Sequence, residues 1–192
     1  MNLLLTSSFP MKNNELVAEV IRNTGNDVRI LYTAYSENSR KFCERVKDYG
    51  FTTIDYLNIT KGFNSKEVND YDVILLHGGN PFTIKERMKK SGFHEFLPAA
   101  HPLIVTTSGS TMVLSNNFEI FNILYPKMKK DDFVGLALFP CEIIPHYQRY
   151  KKKEGDIKNF SKGKKIYAIP DGSAIAYDGK NIELIGPVKI LD

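Results

Sequence analysis

A nucleophilic hydroxyl belongs at a sharp turn just past the end of a buried strand, and "TTSGSTMVLSNN" at 106–117 offers two, Ser108 and Ser110. The stretch follows the apolar run "PLIV". Set against the Gly-x-Ser-x-Gly elbow with Ser108 at its centre, Thr106 and Ser110 occupy the glycine positions. Both are small, but a β-branched threonine is stiff, and an ordinary hydrogen-bonded Ser/Thr turn is the competing explanation. A second group lies 38 residues after Ser108, where the apolar stretch from Gly135 runs into Pro145-His146-Tyr147. A histidine delivered from another strand end can take the serine's proton and pass it to a leaving amine; alternatively His146 is structural. A third group is "HGGN" at 77–80, whose glycines can turn sharply and present backbone N–H groups as half of an oxyanion hole, or simply join strand to helix. His77 by itself reads as a hydrogen-bonded structural histidine.

Such groups need a sheet whose carboxyl edge gathers them, and the chain supplies its strands. Runs at 2–7, 27–34, 53–59, 72–79 and 102–108 are nearly continuously apolar, as a parallel sheet covered on both faces requires. Between them, 13–25 places Leu16, Val17, Val20 and Ile21 at helical spacing and ends on Gly25. The stretch 36–50 opens on Ser36 or Ser39 and closes on Gly50, and 80–93 puts Ile84 and Met88 on one face. After residue 134 short strands are punctuated by "PDG" and "DGKN". The expected fold is α/β, a three-layer sandwich with a mostly parallel central sheet and extra short strands or hairpins in the carboxyl-terminal third. One domain over 1–192 suits this length.

Composition narrows the function classes. Of the 192 residues, 42% are hydrophobic, yet no run approaches the roughly 20 apolar residues of a membrane span. "MNLLLTSSFP" lacks the basic start and cleavage site of a signal peptide, so a cytoplasmic protein is expected. Cys43 and Cys141 lie far apart without metal-ligand spacing, which gives no disulfide framework and no zinc site. The net charge of +4 is concentrated in lysine-rich stretches between 125 and 165, outside any recognisable nucleic-acid-binding module. These stretches read as solvated faces, with an anionic substrate as the other use for them.

Taken in order, "HGGNPFTIKERM", "TTSGSTMVLS", "GLALFPCEIIPHY" and "IPDGSAI" resemble the peptidase E family of serine peptidases, the aspartyl dipeptidases related to cyanophycinase. The resemblance implies a fold similar to class I glutamine amidotransferases. It places the nucleophile on Ser108, with Gly109 and Ser110 where the family has Ala and Gly, and the catalytic histidine on His146. It implies an oxyanion hole from the N–H groups of Gly79 and Gly109. The acidic group of the family falls near Asn122 and Ile123, where no carboxylate stands. Asn122 or Glu119 is therefore expected as third member, with Asp131 and Asp132 as further candidates. Asn80 and Arg149 are the expected substrate contacts, with Lys151 to Lys153 as additional cations for an acidic substrate.

The resemblance thus implies a serine peptidase for short peptides, including those with an acidic amino-terminal residue, that requires no cofactor and no metal. Its partner is a small peptide, with no nucleic acid and no membrane, and a homodimer is the assembly left open. Two alternatives use the same fold. One is a protein that has lost the chemistry and binds a small ligand at that edge, motivated by the altered elbow and the missing carboxylate. The other is a glutaminase, which would place cysteine where Ser108 stands, whereas Cys141 falls inside an apolar strand.

Overall fold

The computed structural model describes residues 2–11, 13–128 and 132–192. The strands are β1 (Leu3–Thr6), β2 (Arg29–Ala34), β3 (Thr53–Asn58), β4 (Val73–Leu76), β5 (Leu103–Thr107), β6 (Glu142–Pro145), β7 (Ile166–Ile169), β8 (Ala174–Tyr177), β9 (Ile182–Ile185) and β10 (Lys189–Leu191). The α-helices are α1 (Glu15–Arg22), α2 (Arg40–Cys43), α3 (Ser65–Val68), α4 (Pro81–Ser91), α5 (Phe93–Phe96), α6 (Gly109–Leu114), α7 (Ile120–Leu124) and α8 (Glu154–Ser161).

Seven strands form the main sheet in the order β3-β2-β4-β5-β1-β8-β9. The first five run parallel, and the β8-β9 hairpin adds two antiparallel strands beside β1. Alternation explains the apolar runs. Leu3, Leu5, Ile74, Leu76 and Ile104 pack on one face against Ile84 and Met88 of α4 and Phe93 of α5. Leu4, Ile30, Tyr32, Val73, Leu75 and Val105 pack on the other against Val17, Ala18 and Ile21 of α1. A strand covered on both faces has no polar side to show.

Three expectations are corrected. Leu16 is 48% exposed, because the buried stripe of α1 passes through Val17, Ala18 and Ile21. The stretch 36–50 is a chain of short 3₁₀ and α pieces around α2 and not one helix, closed as expected by Gly50 at φ 84°. The apolar stretch from Gly135 becomes strand only at Glu142, so Cys141 precedes β6 and is half-buried.

The carboxyl-terminal third holds the extra strands in two places. Besides the β8-β9 hairpin, β10, β7 and β6 form a separate small sheet in which β6 and β7 run parallel and β10 antiparallel. Ile143, Tyr167 and Ile169 of this sheet join the core cluster of β1, β4 and β5. Ile144, Ile166 and Ala168 face a second cluster with Phe118, Phe121 and Leu124 around α7, and with Ile157 of α8.

Candidate active site

Several strands end at one place. Ser7 follows β1, Gly78 and Gly79 follow β4, and Ser108 follows β5 in the large sheet, while His146 follows β6 and Asp171 comes two residues after β7 in the small one. Ligands bind outside the carboxyl ends of parallel strands in open α/β sheets, and here two sheets contribute such ends.

Ser108 stands at the β5-to-α6 turn with φ 55° and ψ −118°, a conformation that costs a non-glycine residue about 1–3 kcal/mol. The turn puts its hydroxyl outward: Ser108 is half-buried, while 104–107 and 109–115 are all buried. The strain is held by hydroxyls at the very positions that depart from the glycine pattern. Thr106 Oγ1 and Thr111 Oγ1 lie 2.7 Å apart, Thr111 Oγ1 donates to Thr6 O at 2.6 Å, and Thr6 Oγ1 donates to Thr106 O at 2.6 Å. Ser110 Oγ accepts from Thr107 N–H at 2.9 Å, and its own hydrogen lies within reach of Leu76 O (3.0 Å) and Thr107 O (2.9 Å). Fully buried and so engaged, Ser110 is a fastener of the turn and cannot meet a substrate. Of the two hydroxyls, Ser108 is the one the geometry presents.

The "HGGN" turn packs directly on this elbow. A Cβ on Gly78 would lie 2.9 Å from Thr107 O and 3.1 Å from Ser108 Cβ. Gly79 adopts φ 138°, which side chains rarely tolerate, and its carbonyl oxygen lies 1.9 Å from where a Cβ on Gly109 would stand. Gly109 therefore has a local reason to replace the alanine of the resembling pattern: the Gly79 carbonyl takes that space. Its N–H is the first of α6, among those a helix leaves without an intrahelical acceptor. Gly109→Ala is expected to lower reactivity at Ser108 at least 10-fold, since the two turns must separate and misplacements near 1 Å cost about 10²-fold. The rate of fluorophosphonate labelling, with thermal melting as the check on folding, measures it.

His146 meets Ser108 from the small sheet, its Nε2 3.1 Å from Ser108 Oγ. Its backbone is left-handed, φ 57° and ψ 35°, so the chain reverses at once after Pro145 and Arg149 N–H bonds back to His146 O at 2.9 Å. On the other side of the ring, Nδ1 lies 2.5 Å from Asp171 Oδ1. The register of β6 and β7, with Pro145 opposite Ile169, brings residues 146 and 171 together at one end of the small sheet. Burial pushes the His146 pKa below its ordinary 6.5, although the bond and charge of Asp171 pull the other way. For Asp171 burial acts upward, but the Ser7 hydrogen bond, His146 and Arg149 together hold the carboxyl below its ordinary 3.8. At neutral pH the pair is a neutral imidazole beside a carboxylate.

Asp171, not Asn122 or Glu119, therefore touches the ring. Glu119 pairs with Lys164 at 3.1 Å, at the amino-terminal end of the small sheet where Glu142 opens β6. A four-residue strand, about 10 Å long, separates that end from His146. Asn122 lies on α7, and the two ring nitrogens of His146 face other groups, Nε2 the Ser108 hydroxyl and Nδ1 the Asp171 carboxylate. Asp132 is bonded to the buried Lys85 at 2.7 Å, and Asp131 falls outside the described residues. The sequence contained one signal for Asp171: an aspartate just past an apolar strand in "IPDGSAI", where the "PDG" triplet reads first as a turn.

The two expected substrate contacts have partners of their own. Asn80 caps α4, its Oδ1 accepting from Phe82 N–H at 3.0 Å and Thr83 N–H at 3.3 Å. Arg149 donates to Asp171 Oδ2 at 3.1 Å while 58% of its side chain stays exposed. Lys153 caps the carboxyl end of α7 by donating to Ile123 O and Leu124 O, and Lys151 and Lys152 are exposed. His77 is structural in its contacts: Nδ1 lies 2.5 Å from Tyr32 Oη, and burial lowers its pKa to about 4. Among the described residues no cluster of His, Cys, Asp and Glu could hold a metal ion, and no helix is long and apolar enough to cross a membrane.

Comparison with known proteins gives a family and a similar fold. The model of peptidase family S51 matches residues 3–185. The chain is similar to Peptidase E of Actinobacillus pleuropneumoniae, in strains of serotypes 5b, 3 and 7, each 24% identical over 161 residues. Those alignments cover 72% of this chain, and the chain spans 64% of the length of these curated relatives. A crystal structure of a "Putative Peptidase E Protein" from Listeria monocytogenes EGD-e has a similar fold, with a TM-score of 0.71 and 20% identity. It is aligned over 100% of this chain and 98% of that one.

Proposed function

This chain belongs to peptidase family S51, and from that premise we propose that it is a serine peptidase that cleaves short peptides through an acyl-enzyme on Ser108. The observation that carries the proposal is the continuous line from Ser108 Oγ to His146 Nε2 and from His146 Nδ1 to Asp171, with Ser108 held in a strained turn. In this mechanism Ser108 Oγ attacks the scissile carbonyl as its proton passes to His146 Nε2. The tetrahedral oxyanion is met by the N–H groups of Gly79 and Gly109. His146 then gives the proton to the amine as the C–N bond breaks, and water, deprotonated by the same nitrogen, hydrolyses the ester. Asp171 keeps the proton of the neutral ring on Nδ1 and stabilises the imidazolium that forms.

Substrate preference is the finer part of the proposal. Arg149 has one face on Asp171 and the other open to solvent beside the reacting groups, so its free N–H donors suit a substrate carboxylate. Hydrolysis of dipeptides with amino-terminal Asp, Glu, Asn, Leu and Lys tests both activity and preference. Fluorophosphonate modification traced to Ser108 by peptide mapping tests the nucleophile; the absence of both hydrolysis and labelling would defeat the proposal.

The pH dependence has a defined sign. Only the neutral His146 can accept the serine proton, and burial holds its pKa below 6.5. The acid limb of kcat/KM is expected to have its midpoint below 6.5, with activity rising as pH increases through it. A profile from pH 4 to 8 on one dipeptide measures it, and a midpoint well above 6.5 would contradict the environment described for the ring.

A further inference from the structure

Ser7 lies outside the serine-histidine-aspartate line and touches two of its members. The residue is fully buried at the end of β1, so its hydroxyl has no recourse to water and must find partners inside. Ser7 Oγ accepts from the backbone N–H of His146 at 2.6 Å, donates to Asp171 Oδ1 at 2.7 Å, and lies 3.2 Å from His146 Nδ1. Its own carbonyl accepts from Thr107 Oγ1 at 3.4 Å, which ties it to the residue before the nucleophile. The neighbouring Ser8 Oγ accepts from Gly172 N–H at 3.4 Å.

We infer that Ser7 is a positioning residue, whose hydroxyl sets the tautomer and placement of His146 relative to Ser108. The hydrogens available to these groups fix their roles. Ser7 has one hydroxyl hydrogen, and Asp171 Oδ1, at 2.7 Å, is its acceptor. His146 Nδ1 also faces Asp171 Oδ1, at 2.5 Å, and a carboxylate oxygen only accepts, so Nδ1 carries a hydrogen. Nε2 of the neutral ring is then bare and turned to the Ser108 hydroxyl at 3.1 Å, the state a general base needs. The third contact acts on the backbone. His146 is a non-glycine residue in a left-handed conformation, and Ser7 Oγ accepts its N–H there. One hydroxyl of the large sheet thus holds the ring's main chain and the carboxylate that orients the ring, both of which belong to the small sheet.

The inference rests on the peptidase proposal for its catalytic meaning, and its test separates the two. Wild type, Ser7→Ala and Ser7→Thr are compared by histidine-selective ¹⁵N NMR and by fluorophosphonate labelling and dipeptide kinetics. Expected for the wild type is a low-field Nδ1–H resonance and the Nδ1–H tautomer at His146. In Ser7→Ala that resonance should broaden or vanish and both tautomers appear, with kcat and the labelling rate about 10 to 100-fold lower and KM within about 2-fold. Ser7→Thr, which keeps the hydroxyl, should recover most of both signals. If Ser7→Ala does not fold, Ser7→Gly takes its place. A Ser7→Ala protein with an unchanged resonance and tautomer overturns the inference. So does one with the wild-type labelling rate. A wild type that neither hydrolyses peptides nor labels would overturn the peptidase proposal, and the NMR comparison would still decide whether Ser7 orients the ring.

Discussion

Replacing Ser108 with alanine is expected to lower peptide hydrolysis about 10⁴-fold or more while leaving the fold in place. The size reflects the division of labour. Without the hydroxyl no acyl-enzyme forms, and what remains is binding and any oxyanion stabilisation acting on an unassisted water. No other hydroxyl of the turn can substitute. Thr106, Thr107, Ser110 and Thr111 are buried and bonded within the sheet, whereas Ser108 is half-buried and faces His146 Nε2. Ser110→Ala separates the two roles. It removes a fastener bonded to three backbone groups, so its expected first effect is on stability, about 1–3 kcal/mol by urea denaturation. Kinetics on one good dipeptide and denaturation of both variants give the comparison. Activity that survived Ser108→Ala would remove Ser108 from the mechanism.

Asp171→Asn is expected to lower kcat by about 10³ to 10⁴-fold, close to the serine variant and far beyond any change at Glu119 or Asn122. The amide is nearly the same shape, but it offers a donor where the ring also has one. The ring's hydrogen then moves to Nε2, and the base no longer faces Ser108 bare. Ser7, which donates to the same oxygen at 2.7 Å, would lose its acceptor whenever the amide nitrogen took that place. Glu119→Gln and Asn122→Ala are the controls. Glu119 pairs with Lys164 and the ring nitrogens of His146 face Ser108 and Asp171, so each change is expected to alter kcat less than about 3-fold. A large loss at Glu119 together with a small one at Asp171 would reverse the assignment.

Reading the sequence reached the layers of the fold and two of the three residues in this line, for physical reasons that also explain the gap. The strands around Leu4, Ile74 and Val105 were legible because a core on both faces leaves only apolar residues along them. Ser108 and His146 were legible because each immediately follows such a run. Asp171 depends on pairing instead. It reaches His146 only because β6 and β7 lie side by side in parallel with Pro145 opposite Ile169, and a residue separation of 25 carries no trace of that. Distance along the chain from Ser108 points toward Asn122, whereas proximity to His146 is set by the small sheet. Ser7 was hidden for a similar reason. In "LLLTSSFP" it is one small polar residue among others, and its meaning comes from β1 lying next to β5, with Thr6 opposite Thr107. In α1 hydrophobic character does not give direction, and Leu16 is exposed. The neighbouring Ala18, less hydrophobic, is the one turned inward.

The split of the proposed reacting groups between two sheets bears on how such a site can diverge. The hydroxyls that secure the nucleophile's turn find their partners at Thr6, Leu76, Thr107 and Thr111, all within the large sheet and the helix after β5. The imidazole and carboxylate are set by β6 and β7, with residue 7 reaching across to them. Substitution around the nucleophile can therefore accumulate without retuning the base, provided the hydroxyl lands in the same spot. At 106 and 110 side-chain hydrogen bonds stand where the Gly-x-Ser-x-Gly pattern has glycines, and a motif search strict about those glycines would pass over this arrangement.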